Sequence, residues 1–418
     1  MAESGSDQSV KQAASSISRI IVVGAGPSGL LLALLLARNG INVEILDAGD
    51  TVDEQPRAAH YAPPAVAELR RAGVIEDIIA AGYKPRDFTW RKPDGSPIAS
   101  MFFDILDPDF ADRMVVLPLN RLCNIIYAHL QTQSTVRVKW RHRVVDIGQN
   151  EAQAWVFVET PTGRQRYEAD YVIGCDGANS QIRRSLFGDL NFPGEALNAQ
   201  IVATNVYYDF TQFGYSDTNY ILHPTNWHMV AKITPDGLYR VSYAEVPGLT
   251  AEEYQRRQPE RFQEILPGSP KPNEYKITNI SPYKMQQRCA PSFRVGRFLL
   301  AADAAHLCNP FGGLGLTGGI ADVGSLFDCL IGIHTGLASD SILDKYSEVR
   351  RQIYFDIIDP SSRENFRRLH AQDPETAAGR DPLFVMCRKA ETDRELGREL
   401  ALGLNILRHD FTKYYTSH

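Results

Sequence analysis

Apolar runs at Ile20–Val23 and Val43–Leu46 flank the leucine-rich stretch Leu30–Ala37, a pattern that predicts strand, buried helix and strand. Ala65 to Ala81 carries leucine, isoleucine and alanine at helical spacing and reads as one packed helix. Phe88–Arg91 and Pro97–Ala99 enclose Lys92-Pro93-Asp94-Gly95-Ser96, a hairpin signature. A helix follows from Leu117 through Leu130, with Leu122, Ile125, Ile126 and Leu130 on one face. Val136 to Ile147, Ala154 to Thr160 and Tyr171 to Cys175 read as strands. Ala199 to Asp209, His228 to Thr234 and Tyr239 to Ala244 are aromatic and β-branched, as expected of an antiparallel sheet. A polar helix over Ala251 to Leu266 is crossed by Pro259, and Lys276 to Met285 reads as a strand leading back toward the first domain. Phe298 to Ala302 is a further strand, and Ile320 to Ile331 a helix. From Ile342 to His418 the helical pattern is broken at Pro360, Pro374 and Pro382.

Composition narrows the function classes. The chain of 418 residues is 44% hydrophobic and 22% charged, with a net charge of −6. That balance argues against a protein built to grip nucleic acid through its phosphates. Leu30–Ala37 is too short to cross a bilayer, so no membrane role is expected. Residues 1–16 are polar and rich in Ser, Ala and Gln, and read as a disordered tail without a secretory signal. The six cysteines are scattered without a CxxC pair, which implies reduced thiols in a cytoplasmic protein and no metal site.

The chemistry begins in the first turn. Gly24-Ala25-Gly26-Pro27-Ser28-Gly29 joins the first strand to its helix, and the next strand ends at Asp47. Gly24 tightens the turn, Gly26 clears space for a pyrophosphate, and Gly29 lets helix and strand approach. Asp47 stands where an acid accepts hydrogen bonds from an adenosine ribose. The turn does not by itself choose between FAD and NAD(P). Arg57 is either a surface charge or a group reaching back to the cofactor. Asp176, in Cys175-Asp176-Gly177-Ala178-Asn179-Ser180, either caps the next segment or approaches a cofactor. Ala302-Asp303-Ala304-Ala305-His306 is followed by the glycine-rich run from Pro310 to Gly319, whose backbone can approach a bound group closely.

Together these three motifs resemble the class A, single-component FAD-dependent aromatic hydroxylases with the p-hydroxybenzoate hydroxylase fold. The resemblance covers nearly all of the chain after the tail. It implies an α/β fold: a Rossmann-like FAD-binding domain, a second, mostly antiparallel-sheet substrate domain and a C-terminal helical flank. Residues 17–82, 114–188 and 281–345 would form the discontinuous FAD domain, 83–113 and 189–280 the substrate domain, and 346–418 the helical region. Asp47 would hold the adenosine ribose and Asp303 the ribityl chain. Arg57 would reach the cofactor, and Asp176 would serve both FAD and NAD(P)H. Pro310, Gly313, Gly315 and Leu316 would lie beneath the isoalloxazine, their N–H groups facing N1/O2. Two positions depart from the family pattern. Ala302 replaces the usual Gly, and Leu119 stands where Arg or Gln is usual, with Arg121 nearby as a substitute.

The implied reaction inserts one oxygen atom of O2 into an aromatic, phenolic or polyketide-like substrate through a C4a-hydroperoxyflavin. NADPH, taken ahead of NADH, is the transient reductant, and the setting is secondary metabolism or aromatic catabolism. The second domain is rich in rings, and Tyr239, His228, His223 and Arg240 are its candidate catalytic residues. Tyr239 would hydrogen-bond a phenolic oxygen, either histidine would take its proton, and Arg240 would fix a carboxylate or phenolate. By strand alternation Tyr239 and Tyr243 share a face and Arg240 points the other way. His306 is read as a structural part of its motif. A flavin-dependent halogenase and a nonenzymatic FAD-binding partner or sensor are the alternatives. The molecule is expected to be a monomer or homodimer.

Overall fold

A computed structural model describes residues 17–54 and 57–416; the expected N-terminal tail lies outside the described residues. Two sheets organise it. The first has six strands, ordered Arg294–Val295, Phe298–Leu300, Tyr171–Gly174, Arg19–Val23, Asn42–Leu46 and Val136–Lys139. All neighbours are parallel except the edge pair Arg294–Val295 and Phe298–Leu300. Its central strands are largely buried on both faces, by helices on one and by the three-stranded sheet of residues 143–169 on the other. Pro27–Arg38 and Leu314–His334 supply much of that cover, and residues from both join the largest hydrophobic core. Leu314–His334 is long and apolar enough to cross a membrane, yet 89% of its apolar window is buried in the fold.

The second sheet has eight strands, ordered His306–Leu307, Lys276–Cys289, Gly194–Tyr207, Leu238–Glu245, His228–Lys232, Thr218–Ile221, Asp87–Arg91 and Pro97–Phe102. It is antiparallel apart from the pairing of Thr218–Ile221 with Asp87–Arg91. The long strand Lys276–Cys289 carries the chain back toward the first sheet and ends paired to His306–Leu307. The late motif therefore sits where the two sheets meet.

Several elements differ from the sequence expectation for local reasons. The helix expected over 65–81 is two, Pro63–Arg71 and Ile75–Ala81, parted at Gly73, whose φ is +66°. The strand expected over 136–147 is also two, because Arg141 takes φ +58° and sends the chain into a separate three-stranded sheet. Pro259 sits inside an unbroken helix, Ala251–Ile265, begun by a Thr250/Glu253 capping box. The break expected at Pro360 is absent: the chain stays helical from Ile342 through His370, with a π-helical turn at Tyr354–Ile358 just ahead of the proline. All six cysteines are free.

Candidate functional site

A groove of about 1270 Å³ runs across the carboxyl ends of the parallel strands. Its walls include Gly24, Gly26, Pro27, Ser28, Asp47, Arg57, Asp176, Asp303, Pro310, Gly313, Gly315 and Leu316. Gly29 stays off the wall: a Cβ there would lie 2.0 Å from the Gly24 carbonyl oxygen, so its work is the close packing of helix on strand. Gly24 has φ +104°, and a Cβ on it would meet the Cys175 carbonyl at 2.4 Å. Gly26 differs, because its missing Cβ faces open space.

Two helices begin at this groove without a side-chain cap: Pro27–Arg38 behind Gly26, and Leu314–His334 behind Gly313. Their first N–H groups and positive dipole ends favour anionic or electron-rich groups. Asp47 accepts from the amides of Ala25 (2.6 Å) and Gly49 (2.7 Å), which fixes its carboxylate at the end of the second strand. Asp176 accepts from Ser180 Oγ (2.5 Å) and the amides of Gln181 (2.7 Å) and Ile182 (3.2 Å). It caps the helix Gln181–Phe187 and lines the groove at the same time. Burial pushes its carboxyl upward, opposed by these hydrogen bonds.

FAD fits this groove on three observations. A length of wall runs from the Gly24–Ser28 turn to Pro310–Leu316. Gly26, Gly177 and Gly313 each leave room where a Cβ would intrude. Asn120 Oδ1, on the wall, is buried without a hydrogen-bond partner among the described residues. The helix Leu119–Gln131 thus presents Leu119, Asn120 and Cys123 to the groove. Arg121 is exposed and off the wall, with its charge felt by Tyr207 and Asp236 instead.

A second cavity, about 520 Å³, lies on the inner face of the eight-stranded sheet. It shares Arg57, Ala58, Asp303, Pro310, Gly313 and Leu316 with the groove, so the two spaces meet at the late motif. Strand alternation decides which side chains face it. Arg240 and Ser242 do, as do Met229 and Ala231 on the neighbouring strand. Tyr239 and Tyr243 point the other way, into a core with Phe210 and Phe262. His228 shares that outer side, buried, with Nδ1 against the Asn226 carbonyl at 2.9 Å. His223 caps its own loop, its Nδ1 accepting from the Thr225 (3.1 Å) and Asn226 (2.8 Å) amides. Of the four candidate catalytic residues, only Arg240 lines the cavity.

Beyond Arg57, Asp303 and Arg240, the cavity's polar groups carry no role in the sequence analysis. His60 sits three residues beyond Arg57, and its Nε2 is 3.2 Å from Thr218 Oγ1. Desolvation, helped by the Arg240 charge, holds His60 down to about 4, so its ring is neutral at pH 7. Asn279, Ser281 and Tyr283 recur with period two along one strand, the signal that could have found them. Arg240 Nε donates to Asn205 Oδ1 at 3.1 Å across the paired strands. Desolvation lowers Arg240 to about 10 against the pull of the Tyr283 hydroxyl, and it stays cationic. Phe88 and Tyr220 supply the apolar side, with Tyr220 stacked on Trp90 at 5.7 Å.

The late motif is held from behind by a buried ion network. Asp322 accepts from Arg350 Nε (2.6 Å) and the Ala302 amide (3.0 Å), and lies 2.7 Å from His306 Nε2. Burial would raise the Asp322 carboxyl, but His306 and Arg350 outweigh it and hold it below the usual range. Among the described residues no cluster of His, Cys, Asp and Glu is arranged to hold a metal ion.

Comparison with known proteins agrees with this geometry. The family model described as an FAD binding domain matches residues 18–361. The chain is 39% identical over 389 residues to the para-nitrophenol 4-monooxygenase of Pseudomonas sp. (strain WBC-3), covering 93% of this chain and 95% of that protein. It is 36% identical over 360 residues to the 6-hydroxy-3-succinoylpyridine 3-monooxygenase HspB of Pseudomonas putida (strain DSM 28022 / S16), covering 85% and 90%. The crystal structure of p-nitrophenol 4-monooxygenase PnpA from Pseudomonas putida DLL-E4 superposes with a TM-score of 0.87 at 37% identity, over 94% of this chain and 98% of that one.

Proposed function

We propose that this chain, which belongs to the class A FAD-dependent aromatic hydroxylase family, acts on a small monocyclic phenol taken up as its phenolate beside Arg240. Membership makes it an FAD-dependent monooxygenase of aromatic substrates that consumes a reduced nicotinamide and O2. Bound FAD supplies the two-electron activation of O2; the residues on the two walls supply binding, orientation and the exclusion of water.

The observation that carries the substrate reading is the shared wall between groove and cavity. Gly24, Gly26, Pro27, Ser28 and Asp47 hold the adenine and pyrophosphate end, with Gly29 as packing support. Asp303 and Arg57 stand at the junction, and Pro310, Gly313, Gly315 and Leu316 carry the ring end. Asp176 borders the groove where NAD(P)H approaches, and NADPH is taken ahead of NADH. Arg121 takes no part in this assignment, and Asn120 takes its place on the wall. A substrate ring lying against Phe88 and Tyr220 places its oxygen among Arg240, Tyr283 and neutral His60. A cationic guanidinium favours the phenolate, whose electron-rich ring is the form that accepts electrophilic oxygen. Catalysis is thereby assigned to Arg240 and His60, and Tyr239, His228 and His223 are assigned packing roles. The same reading keeps the FAD-binding unit (17–82, 114–188, 281–345), the substrate unit (83–113, 189–280) and the helical region (346–418). It also keeps a monomer or homodimer in the cytoplasm.

The para-nitrophenol relatives make p-nitrophenol the first substrate to test. Oxygen delivered to the nitro-bearing carbon expels nitrite and leaves a quinone. The nicotinamide provides two electrons, and the second oxygen atom leaves as water. FAD-loaded enzyme should therefore release one nitrite per NAD(P)H. Only peroxide from p-nitrophenol and other monocyclic phenols, together with a hydroxylated product from a polycyclic polyketide, would overturn the reading.

A further inference from the structure

Residues 310–316 comprise a short irregular loop through Gly313 and the first residues of the helix Leu314–His334, and Gly312 (φ +97°) and Gly313 (φ +66°) both take left-handed conformations. The loop's shape is set by buried side chains behind it. The Asn309 amide donates to Gln287 Oε1, and Asn309 Nδ2 reaches the same oxygen at 3.2 Å. Asn309 Oδ1 in turn accepts from the Phe311 amide at 3.1 Å. Gln287 Nε2 donates to Asp359 Oδ1 (2.7 Å) and to Ser362 Oγ (3.0 Å). From the same helix, Asn365 Nδ2 donates to the Phe311 carbonyl at 3.3 Å and sits 2.3 Å from where a Gly312 Cβ would be. Just before that helix, the π-helical turn places Tyr354 with its hydroxyl on the Leu307 carbonyl, 3.0 Å away.

Gln287, Asn309 and Ser362 are all essentially inaccessible to solvent. A buried amide is costly unless its polar atoms are used, and here Gln287 uses both ends, one for the loop and one for the helix. We propose that Gln287 is a positioning residue that ties the 310–316 loop to the helix Asp359–His370 and so sets how closely the loop's N–H groups approach the flavin ring. The inference rests on the placement of that ring beside residues 310–316 proposed above. Donors held in place stabilise the charge that appears on the reduced ring, whereas a loop free to shift must reorganise first.

The test is Gln287→Leu in the full-length protein, read by FAD binding through flavin fluorescence and by the flavin midpoint potential. Oxidised FAD should bind about fivefold more weakly, and reduced FAD should lose a further tenfold. That extra factor moves the midpoint about 30 mV negative for a two-electron couple. Amide exchange at Phe311 should also quicken in the FAD-free protein. Folded Q287L with an FAD affinity within twofold of wild type and an unchanged midpoint overturns the proposal. If Q287L does not fold, Asn365→Ala decides by the same two readings. Gly313→Ala separates this inference from its premise. If the ring does not lie on this loop, G313A and Q287L both leave the midpoint unchanged. If only the clamp is wrong, G313A alone shifts it.

Discussion

Ala302 occupies the left-handed region at φ +56°, where a Cβ is strained, and its methyl group lies against Gly319. A non-glycine residue there costs roughly 1–2 kcal/mol, partly offset by the greater freedom glycine gives the unfolded chain. Ala302→Gly should therefore stabilise the protein by about 0.5–1 kcal/mol, visible as a higher Tm, and Gly319→Val should destabilise it by collision with that methyl. His228 gives a pH prediction. Burial holds it down to about 4, whereas the unfolded ring titrates near 6.5. The unfolded state then binds more protons between those values, so stability falls as pH drops from about 6.5 toward 4. For one such ring the loss between pH 8 and pH 5 is about 2 kcal/mol. His60 is held equally low and adds a like slope, so His228→Asn should remove about half of the fall over that part of a Tm–pH curve, and an unchanged slope would refute it. At this scale the sequence was informative for the groove and poor for the cavity. Gly24, Gly26 and Asp47 reach the groove wall, as their spacing in the strand–turn–helix–strand order predicts. Arg240 and Tyr239 are adjacent, and alternation puts them on opposite faces, but no local signal says which face meets a ligand and which meets the helix Ala251–Ile265. Arg240→Met should raise KM for a phenolate substrate roughly 10- to 100-fold, the value of a charged hydrogen bond, while Tyr239→Phe leaves KM unchanged.

Elements follow the same division. The helix Leu314–His334 begins at Gly313 because that residue's positive φ breaks the loop path and frees the first N–H groups, whereas periodicity alone suggests a start at Ile320. Glycines in its first turns make the opening look like loop. They are there because Ala302 and Ile358 press against Gly319 and Gly318. Mid-helix, Asp322 is the buried acid on which the late motif depends, and Arg350 from the helix Ile342–Ile353 is fully buried against it. Arg350 also donates to the Leu407 carbonyl at 2.6 Å, so it joins three segments of chain. Breaking such a pair from one side leaves a buried charge undercompensated, at a cost of about 3–5 kcal/mol. Arg350→Leu should lower Tm by that equivalent and weaken FAD binding, because the Ala302 amide hangs from the same carboxylate. A variant with unchanged FAD affinity would show that the network supports the fold without shaping the groove.

At the scale of the molecule, the strand–turn–helix–strand order announces the parallel sheet, and the run of aromatic strands announces the antiparallel one. Their join is legible in part, since Lys276 to Met285 reads as a strand leading back toward the first domain, but the pairing of its end with the strand after Asp303 has no local sequence signal. The groove is built from segments far apart in the chain: the first turn, the end of the second strand, the start of the helix at Leu119, the Asp176 loop and the late motif. One bound cofactor therefore adds a further bridge between elements that already meet through packing and hydrogen bonds. A ligand that binds only the folded state stabilises it by RT ln(1 + [L]/Kd), about 2.7 kcal/mol at a hundredfold excess over Kd. Stripping FAD should lower Tm, and adding it back should restore Tm in proportion to the logarithm of its concentration. Because the late motif touches both sheets, the shift should be common to both. Near-UV signals from the ring-rich second sheet and far-UV signals from the helices should move together on FAD addition. Two transitions, of which only one responds to FAD, would mean that the cofactor stabilises the first sheet alone and that the cavity is assembled without it.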